Sequence, residues 1–137
     1  MPDTPLTENE FVARLRDEGQ RRYHDQHPFH ELMHAGSLSR EQLQAWTLNR
    51  YYYQTRIPIK DAVILSKAED PAFRRIWIER VRDHDGREEG GDDGGLALWL
   101  RLAEAVGLER AEVASLRSVL PGVRFACDAY VALCRCL

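Results

Sequence analysis

The chain has 137 residues, of which 44% are hydrophobic and 30% are charged. This length and composition favour a single globular domain over residues 1–137 and argue against wholesale disorder. The net charge is -3, which excludes a strongly basic nucleic-acid-binding protein. No segment approaches the roughly 18 consecutive apolar residues that a membrane span needs, and the first residues show no secretory signal.

The three cysteines, Cys127, Cys134 and Cys136, all lie near the C-terminus. An odd number of clustered cysteines fits reduced thiols in the cytoplasm better than a disulfide framework. A metal pair at Cys134 and Cys136 lacks the second pair of ligands that a zinc site requires.

The first predicted helices have recognisable start and stop signals. Thr7 and Glu10 form a capping box that opens a helix stopping near Gly19. His27-Pro28 marks a second start, because proline suits the first helical turn, and Gly36 is placed to end that short helix.

A second capping box, Ser39-Arg40-Glu41-Gln42, predicts a long helix through Arg56. Pro58 is expected to break or kink this run, since proline lacks the amide hydrogen that a helix interior needs. A further helical stretch is predicted from Lys60 to Lys67.

The second half of the chain also predicts helices and no convincing strand. Asp70-Pro71 opens a helix, and the glycine-rich, acidic run 85–95 predicts a loop. Three more helices are expected: 96–106, 109–116, and one that Pro121 opens. The chain is therefore predicted to be all-α. No stop signal precedes Leu137, so we expect a truncated piece of a larger helical bundle.

His30 to His34 satisfies the HExxH pattern of zinc proteases. Such enzymes place the motif on a long helix with a third ligand downstream. Here the helix is predicted to span only about two turns before Gly36, and His84 is the one later histidine. Partly exposed helix histidines are the favoured interpretation, and a metal-dependent enzyme remains an alternative.

Basic side chains share helix faces with apolar residues. Arg50 and Gln54 lie on the face of Trp46, Arg80 and His84 lie on the face of Trp77, and Lys60 sits within an apolar run. A buried cation is costly unless it is paired. Either an anionic ligand supplies the pairing, for which the arginine fork is suited, or aspartates form internal salt bridges. The candidate aspartates are Asp61, Asp83 and Asp128.

Several stretches together are diagnostic of one family. They are Tyr23-His24, His27–His30, Asn49–Gln54, Ile57–Asp61, Arg80 with Asp83–Gly86, Gly94-Gly95 with Trp99-Leu100, Leu120–Phe125 and Asp128–Tyr130. This set resembles the pyrroloquinoline-quinone synthase (PqqC) family from Leu6 onward. The resemblance implies a haem-oxygenase-like helical bundle, usually a homodimer, of which this chain matches the N-terminal portion.

The same resemblance implies the last step of pyrroloquinoline quinone (PQQ) biosynthesis. In that step a polycarboxylated quinoid precursor undergoes ring closure and dioxygen-dependent oxidation, with release of hydrogen peroxide and without a metal or redox cofactor. Arg50, Lys60 and Arg80 would hold carboxylates and quinone oxygens, and His84 would be the acid/base group. The residues that would hydrogen-bond the ring system are Tyr23, His24, Gln54 and Tyr130.

The family's C-terminal half, which carries further substrate contacts and the dioxygen-handling cluster, has no counterpart here. The alternative to an oxidase is therefore a non-catalytic helical module that dimerises or binds a partner through uncovered apolar faces. Neither hypothesis involves nucleic acid or a membrane.

Overall fold

The computed structural model describes residues 5–136, which form seven α-helices and no β-strand. The predicted all-α class is therefore confirmed. Residues 1–4, where no signal was expected, and Leu137, to which the last helix was predicted to run, lie outside the described residues. The helices are α1 (Glu8–Arg22), α2 (Pro28–His34), α3 (Arg40–Lys67), α4 (Pro71–Asp85), α5 (Gly94–Ala105), α6 (Arg110–Ser115) and α7 (Pro121–Cys136).

Contacts divide the chain into two units, one ending at Leu38 and the other beginning at Ser39. The first unit holds α1, a short 3-10 turn over His24–Gln26, and α2, and none of these three elements has a buried residue. The second unit holds α3 to α7. The single domain over residues 1–137 stays a prediction. Across residues 5–136, no helix is both long enough and apolar enough to cross a membrane.

Helices begin where the sequence predicts them, because the caps depend on local residues. Thr7 and Ser39 each accept a hydrogen bond from the backbone of the third helical residue and receive the reciprocal contact of a capping box. Asp70 accepts from the amides of Ala72 and Phe73 at 2.9 and 3.3 Å. These caps confirm the predicted starts of α1, α3 and α4.

Pro58 does not interrupt α3, so the predicted division of this segment was wrong. The helix continues for 28 residues and Pro58 is buried inside it. A proline in a helix interior costs about 3 kcal/mol or more, since a hydrogen bond is lost and the ring crowds the preceding turn. Buried residues on both sides of it, from Thr47 to Asp61, provide tertiary packing that offsets this cost.

The loop predicted over 85–95 is shorter than expected. Gly94 and Gly95 form the first turn of α5, and an isolated antiparallel bridge joins Arg87 to Asp92 within the loop. Gly94, with a φ of 75°, makes the turn into the helix, and this turn lies directly against the backbone at the end of α4.

In the second unit, α3 is the central helix and packs against α4, α5 and α7. One side of α3 contributes Tyr51 to a core cluster with Ala103 of α5 and Val113 of α6. Another side contributes Tyr52 to a cluster with Val119 and with Cys127 of α7.

Candidate functional site

Two cations share one buried carboxylate at the centre of the second unit. Asp61 is fully buried and lies 2.6 Å from Lys60 Nζ and 3.2 Å from Arg80 Nε. The ion pairs expected as the alternative to a ligand are therefore present for both cations. They leave the three-residue cluster with one uncompensated positive charge.

The two cations differ in their access to solvent. The Lys60 side chain is 7% exposed, whereas the Arg80 side chain is 47% exposed. The predicted interior position is thus correct for Lys60 and wrong for Arg80, whose guanidinium reaches the surface of the unit while its Nε contacts Asp61. An anion approaching from solvent can reach Arg80 first, and the positive charge of Lys60 lies behind it.

Aromatic rings flank the cation cluster on two helices. Lys60 Nζ lies 5.9 Å from the ring centre of Trp77 in α4 and 5.7 Å from that of Tyr130 in α7. The Arg80 guanidinium lies 4.9 Å from the ring centre of Trp77. Cations at these distances interact favourably with an aromatic face. The arrangement places flat rings beside positive charge, which suits an aromatic anion.

Arg50 and Gln54 lie earlier on α3, and neither side chain makes an ion pair or a hydrogen bond to another residue of the described range 5–136. The Arg50 guanidinium stacks over Tyr53 at 4.4 Å, and no carboxylate of residues 5–136 is within ion-pair distance of it. The Gln54 side chain is buried but makes no hydrogen bond to another described residue. A polar group in such a position is a candidate for contact with a ligand.

A groove of about 280 Å³ adjoins Arg50, between α3 and α7. Its lining is mostly apolar and consists of Trp46, Asn49, Arg50, Tyr53, Val123, Ala126 and Cys127. Burial raises the pKa of the Cys127 thiol, and the neighbouring Asp128 carboxylate raises it further. The Cys127 side chain therefore contributes a neutral wall to the groove, and Arg50 contributes the positive charge.

His84 follows Arg80 by one helical turn and lies on the same face of α4. Its Nδ1 is 2.9 Å from the backbone carbonyl oxygen of Arg80. A carbonyl oxygen only accepts, so this contact requires the proton on Nδ1 and leaves Nε2 of the neutral ring as a proton acceptor. The side chain is partly buried, and its Nε2 is suited to acid/base chemistry.

Tyr23 and His24 belong to the first unit, whereas the other six predicted site residues belong to the second. The Tyr23 side chain is exposed, and its backbone amide donates to Gly19 at the end of α1. The His24 ring stacks on that of His30 at 4.3 Å. Their proposed contact with a ligand stays a prediction.

The HExxH histidines also lie in the first unit. The rings of His30 and His34 are 6.2 Å apart. Nowhere in the described part of the chain do three or more His, Cys, Asp or Glu side chains come together in a way that could hold a metal ion. The helix that carries them, α2, has only 7 residues, in keeping with the short helix predicted before Gly36.

Two residues of this site were not among the predicted ligand contacts. Asp61 was considered only as a salt-bridge partner, and Trp77 only as an apolar neighbour of Arg80. A stripe of buried α3 residues at helical spacing ends at Asp61, and this periodicity is a signal that could have identified it. The members of the stripe are Thr47, Tyr51, Gln54, Pro58 and Asp61.

The model of the TENA/THI-4/PQQC family matches residues 12–136. The chain belongs to this family. Its all-helical architecture agrees with the helical, haem-oxygenase-like fold of the family. The recognition of the family from scattered motifs is thereby confirmed.

Among curated proteins, the pyrroloquinoline-quinone synthase of Rhizobium meliloti (strain 1021) is 57% identical over 125 residues, which are 91% of this chain and 48% of that protein. The synthase of Xanthomonas euvesicatoria pv. vesicatoria (strain 85-10) is 55% identical over 130 residues, 95% of this chain and 51% of that protein. A bifunctional coenzyme PQQ synthesis protein C/D of Methylorubrum extorquens is 53% identical over 134 residues, 96% of this chain and 36% of that protein. The chain thus spans about half the length, or less, of these curated relatives.

Proposed function

We propose that this chain contributes to a pyrroloquinoline-quinone synthase-like oxidase. The reaction is the ring closure and dioxygen-dependent oxidation of the polycarboxylated precursor AHQQ to PQQ, with hydrogen peroxide released. Support comes from the 55–57% identity to proteins named pyrroloquinoline-quinone synthase. The chain spans about half of those relatives, so the activity is proposed for a protein of which these helices form a part.

The observation that carries the proposal is the unbalanced charge beside Trp77 and Tyr130. Lys60 and Arg80 share the single carboxylate of Asp61. A fused aromatic ring bearing carboxylates would supply the missing negative charge and stack on the flanking rings. In this proposal Arg50, Lys60 and Arg80 bind carboxylates and quinone oxygens. The hydrogen bonds to the ring system come from Tyr23, His24, Gln54 and Tyr130.

His84 is proposed as the acid/base residue. Its Nδ1 contact with the Arg80 carbonyl holds the imidazole with Nε2 available as an acceptor. An imidazole exchanges protons readily near neutral pH. His84 would therefore take a proton from the bound ring system at Nε2 and return it later in the reaction.

The further parts of the proposal concern the surroundings of the reaction. Dioxygen acts as co-substrate, with no metal or redox cofactor, and PQQ is the product. We propose a homodimer in the cytoplasm as the working form. The partner is a small quinoid polycarboxylate rather than nucleic acid or a membrane, consistent with the acidic net charge.

PQQ binding to the chain tests the proposal directly. Three tryptophans, including Trp77, report binding through fluorescence quenching. Arg80→Ala and Arg50→Ala should each weaken binding by about 1–3 kcal/mol through the loss of a charge-assisted contact. The matched control is Arg82→Ala, which removes an exposed arginine of the same helix that pairs with Glu79 at 2.7 Å.

The result expected is weaker binding for both site variants and unchanged binding for Arg82→Ala. Wild-type chain that does not bind PQQ, or an equal loss in all three variants, contradicts the site. Incubation with precursor under dioxygen, with PQQ absorbance and peroxide followed together, tests whether the chain alone catalyses turnover.

The second candidate function is a non-catalytic module that associates through apolar surface. Large side chains on α4 and α7 favour it, because Ile76 is 74% exposed and Phe125 is 78% exposed. Light scattering after size exclusion, over a range of protein concentrations, separates the candidates. A chain that stays monomeric and binds PQQ contradicts the module, and a dimer that does not bind PQQ supports it.

A further inference from the structure

Glycine backbone at the start of α5 lies directly against the last turn of α4. A methyl group on Gly94 would lie 2.6 Å from the carbonyl oxygen of His84 and 2.3 Å from the amide nitrogen of Gly86. Both contacts are with backbone atoms, which cannot rotate away as a side chain can. A methyl group on Gly95 would lie 3.2 Å from the carbonyl oxygen of Asp83. Only glycine at position 94 permits this approach.

The conformation of the loop depends on glycine for a second reason. Gly94 and Gly86 have φ angles of 75° and 90°, in the left-handed region that other residues rarely adopt. Asp92 Oδ1 accepts from the Gly94 amide at 3.0 Å, and the Arg87 amide donates to the Asp92 carbonyl at 2.8 Å. The loop is thus closed on itself and holds the start of α5 against α4.

The backbone held in this way is that of His84. This residue is next to last in α4, where a helix end is otherwise free to fray. Its imidazole depends on the last turn of α4 for the contact between Nδ1 and the Arg80 carbonyl. A displacement of the α4 end would move the ring and weaken this contact.

We propose that Gly94 is a positioning residue for His84: its bare backbone lets α5 fix the last turn of α4 and, with it, the orientation and tautomer of the imidazole. The proposal deepens the function proposed above, on which the acid/base role of His84 rests. The geometric part concerns only residues of this chain and is tested without any ligand.

The test compares Gly94→Ala with Gly90→Ala. Gly90 lies in the same loop with a φ of 92°, so alanine there meets the same kind of backbone strain, but a methyl group on it has no neighbour within 4 Å. Side-chain nitrogen NMR of the histidines, with the His84 signal assigned through His84→Gln, reports ring position and tautomer. We expect the His84 nitrogen shifts to change in Gly94→Ala and to stay at wild-type values in Gly90→Ala. Unchanged His84 signals in a folded Gly94→Ala protein overturn the proposal, and so do equal changes in both variants.

Gly95→Ala keeps the test decisive if Gly94→Ala does not fold. Gly95 has no positive φ, and its contact with Asp83 requires an adjustment of only a few tenths of an ångström. We expect a smaller change of the His84 signals in the same direction. Wild-type signals in Gly95→Ala, when Gly94→Ala is unfolded, would overturn the proposal.

PQQ affinity separates this proposal from the proposed function. A misplacement of about 1 Å can cost about a hundredfold in catalysis. A displaced end of α4 would also disturb the site that Arg80 and His84 form, so we expect Gly94→Ala to bind PQQ about tenfold more weakly than Gly90→Ala. If the wild-type chain does not bind PQQ, the proposed function fails while the NMR comparison still decides the role of Gly94. If the wild type binds and both variants bind equally well, the positioning role fails and the proposed function stands.

Discussion

Replacing Asp61 by asparagine should lower the stability of the protein and raise its affinity for anions. Asp61 is fully buried, and Lys60 Nζ lies 2.6 Å from it with a side chain that is itself buried. At an effective dielectric constant of about 20, Coulomb's law gives about 6 kcal/mol for this separation, and desolvation of both groups offsets part of it. Removing one partner of a buried pair typically costs about 3–5 kcal/mol, since the other charge is left without compensation.

Arg80 contributes much less to this total. Its side chain is about half exposed, so solvent screens its contact with Asp61, and a pair of that kind contributes about 0–1 kcal/mol. Urea unfolding should therefore show a loss of about 3–5 kcal/mol for Asp61→Asn and less than about 1 kcal/mol for Arg80→Ala. The double variant Lys60→Met with Asp61→Asn should be more stable than Asp61→Asn alone, because it removes the uncompensated charge.

Although Asp61→Asn should be less stable than the wild type, its affinity for anions should be higher. Loss of the Asp61 carboxylate leaves Lys60 and Arg80 without a negative partner, so Asp61→Asn should bind PQQ more tightly at temperatures where it is folded. Binding is measured by tryptophan quenching at low and high salt, and the gain should shrink as salt is added. An Asp61→Asn protein as stable as the wild type, or one that is destabilised and binds PQQ more weakly, refutes this account of the cluster.

Three further predictions concern α7 and its contact with α3. Tyr52→Phe removes a hydroxyl that donates to Asp128 at 2.8 Å, so it should lower the free energy of unfolding in urea by about 1 kcal/mol. The control is Tyr53→Phe, which should cost little because the Tyr53 hydroxyl makes no hydrogen bond to a described residue. Equal losses of stability in the two variants would contradict the role of the Tyr52 hydrogen bond. Burial raises the pKa of the Cys127 thiol in the folded protein. As pH rises, the thiol is therefore deprotonated first in the unfolded chain, which favours unfolding. Between about pH 7 and about pH 10 the wild type should lose more stability than Cys127→Ala. A thiol reagent should also modify exposed Cys136 well before buried Cys127, and identical rates would show that Cys127 is accessible.

The sequence predicted the helix starts well because a cap involves only neighbouring residues. Ser39 and Asp70 bind amides two or three positions ahead, and no distant contact is needed. The break at Pro58 was predicted wrongly for the opposite reason: the local preference for a break is outweighed by packing against other helices, which no local pattern displays.

The candidate site was predictable in its residue types but not in its charge balance. The spacing of Arg50, Lys60 and Arg80 indicated cations on apolar faces, and Lys60 is indeed buried. The sequence did not show which of these cations would pair with a carboxylate, because Asp61 was only one of three candidate partners. Arg80 pairs with it across 19 positions of sequence, whereas Arg50 has no carboxylate partner among residues 5–136.

By itself, the sequence determined the helical class, the capping of the main helices and the family, because each is encoded in short-range spacing or in motifs. The tertiary structure alone decided that one buried aspartate serves two cations and that glycine backbone lies against the end of α4. The physical reason is the same in both cases. Burial and close backbone approach are created when α3, α4 and α5 pack together, so they depend on which helices meet and not on the local sequence pattern.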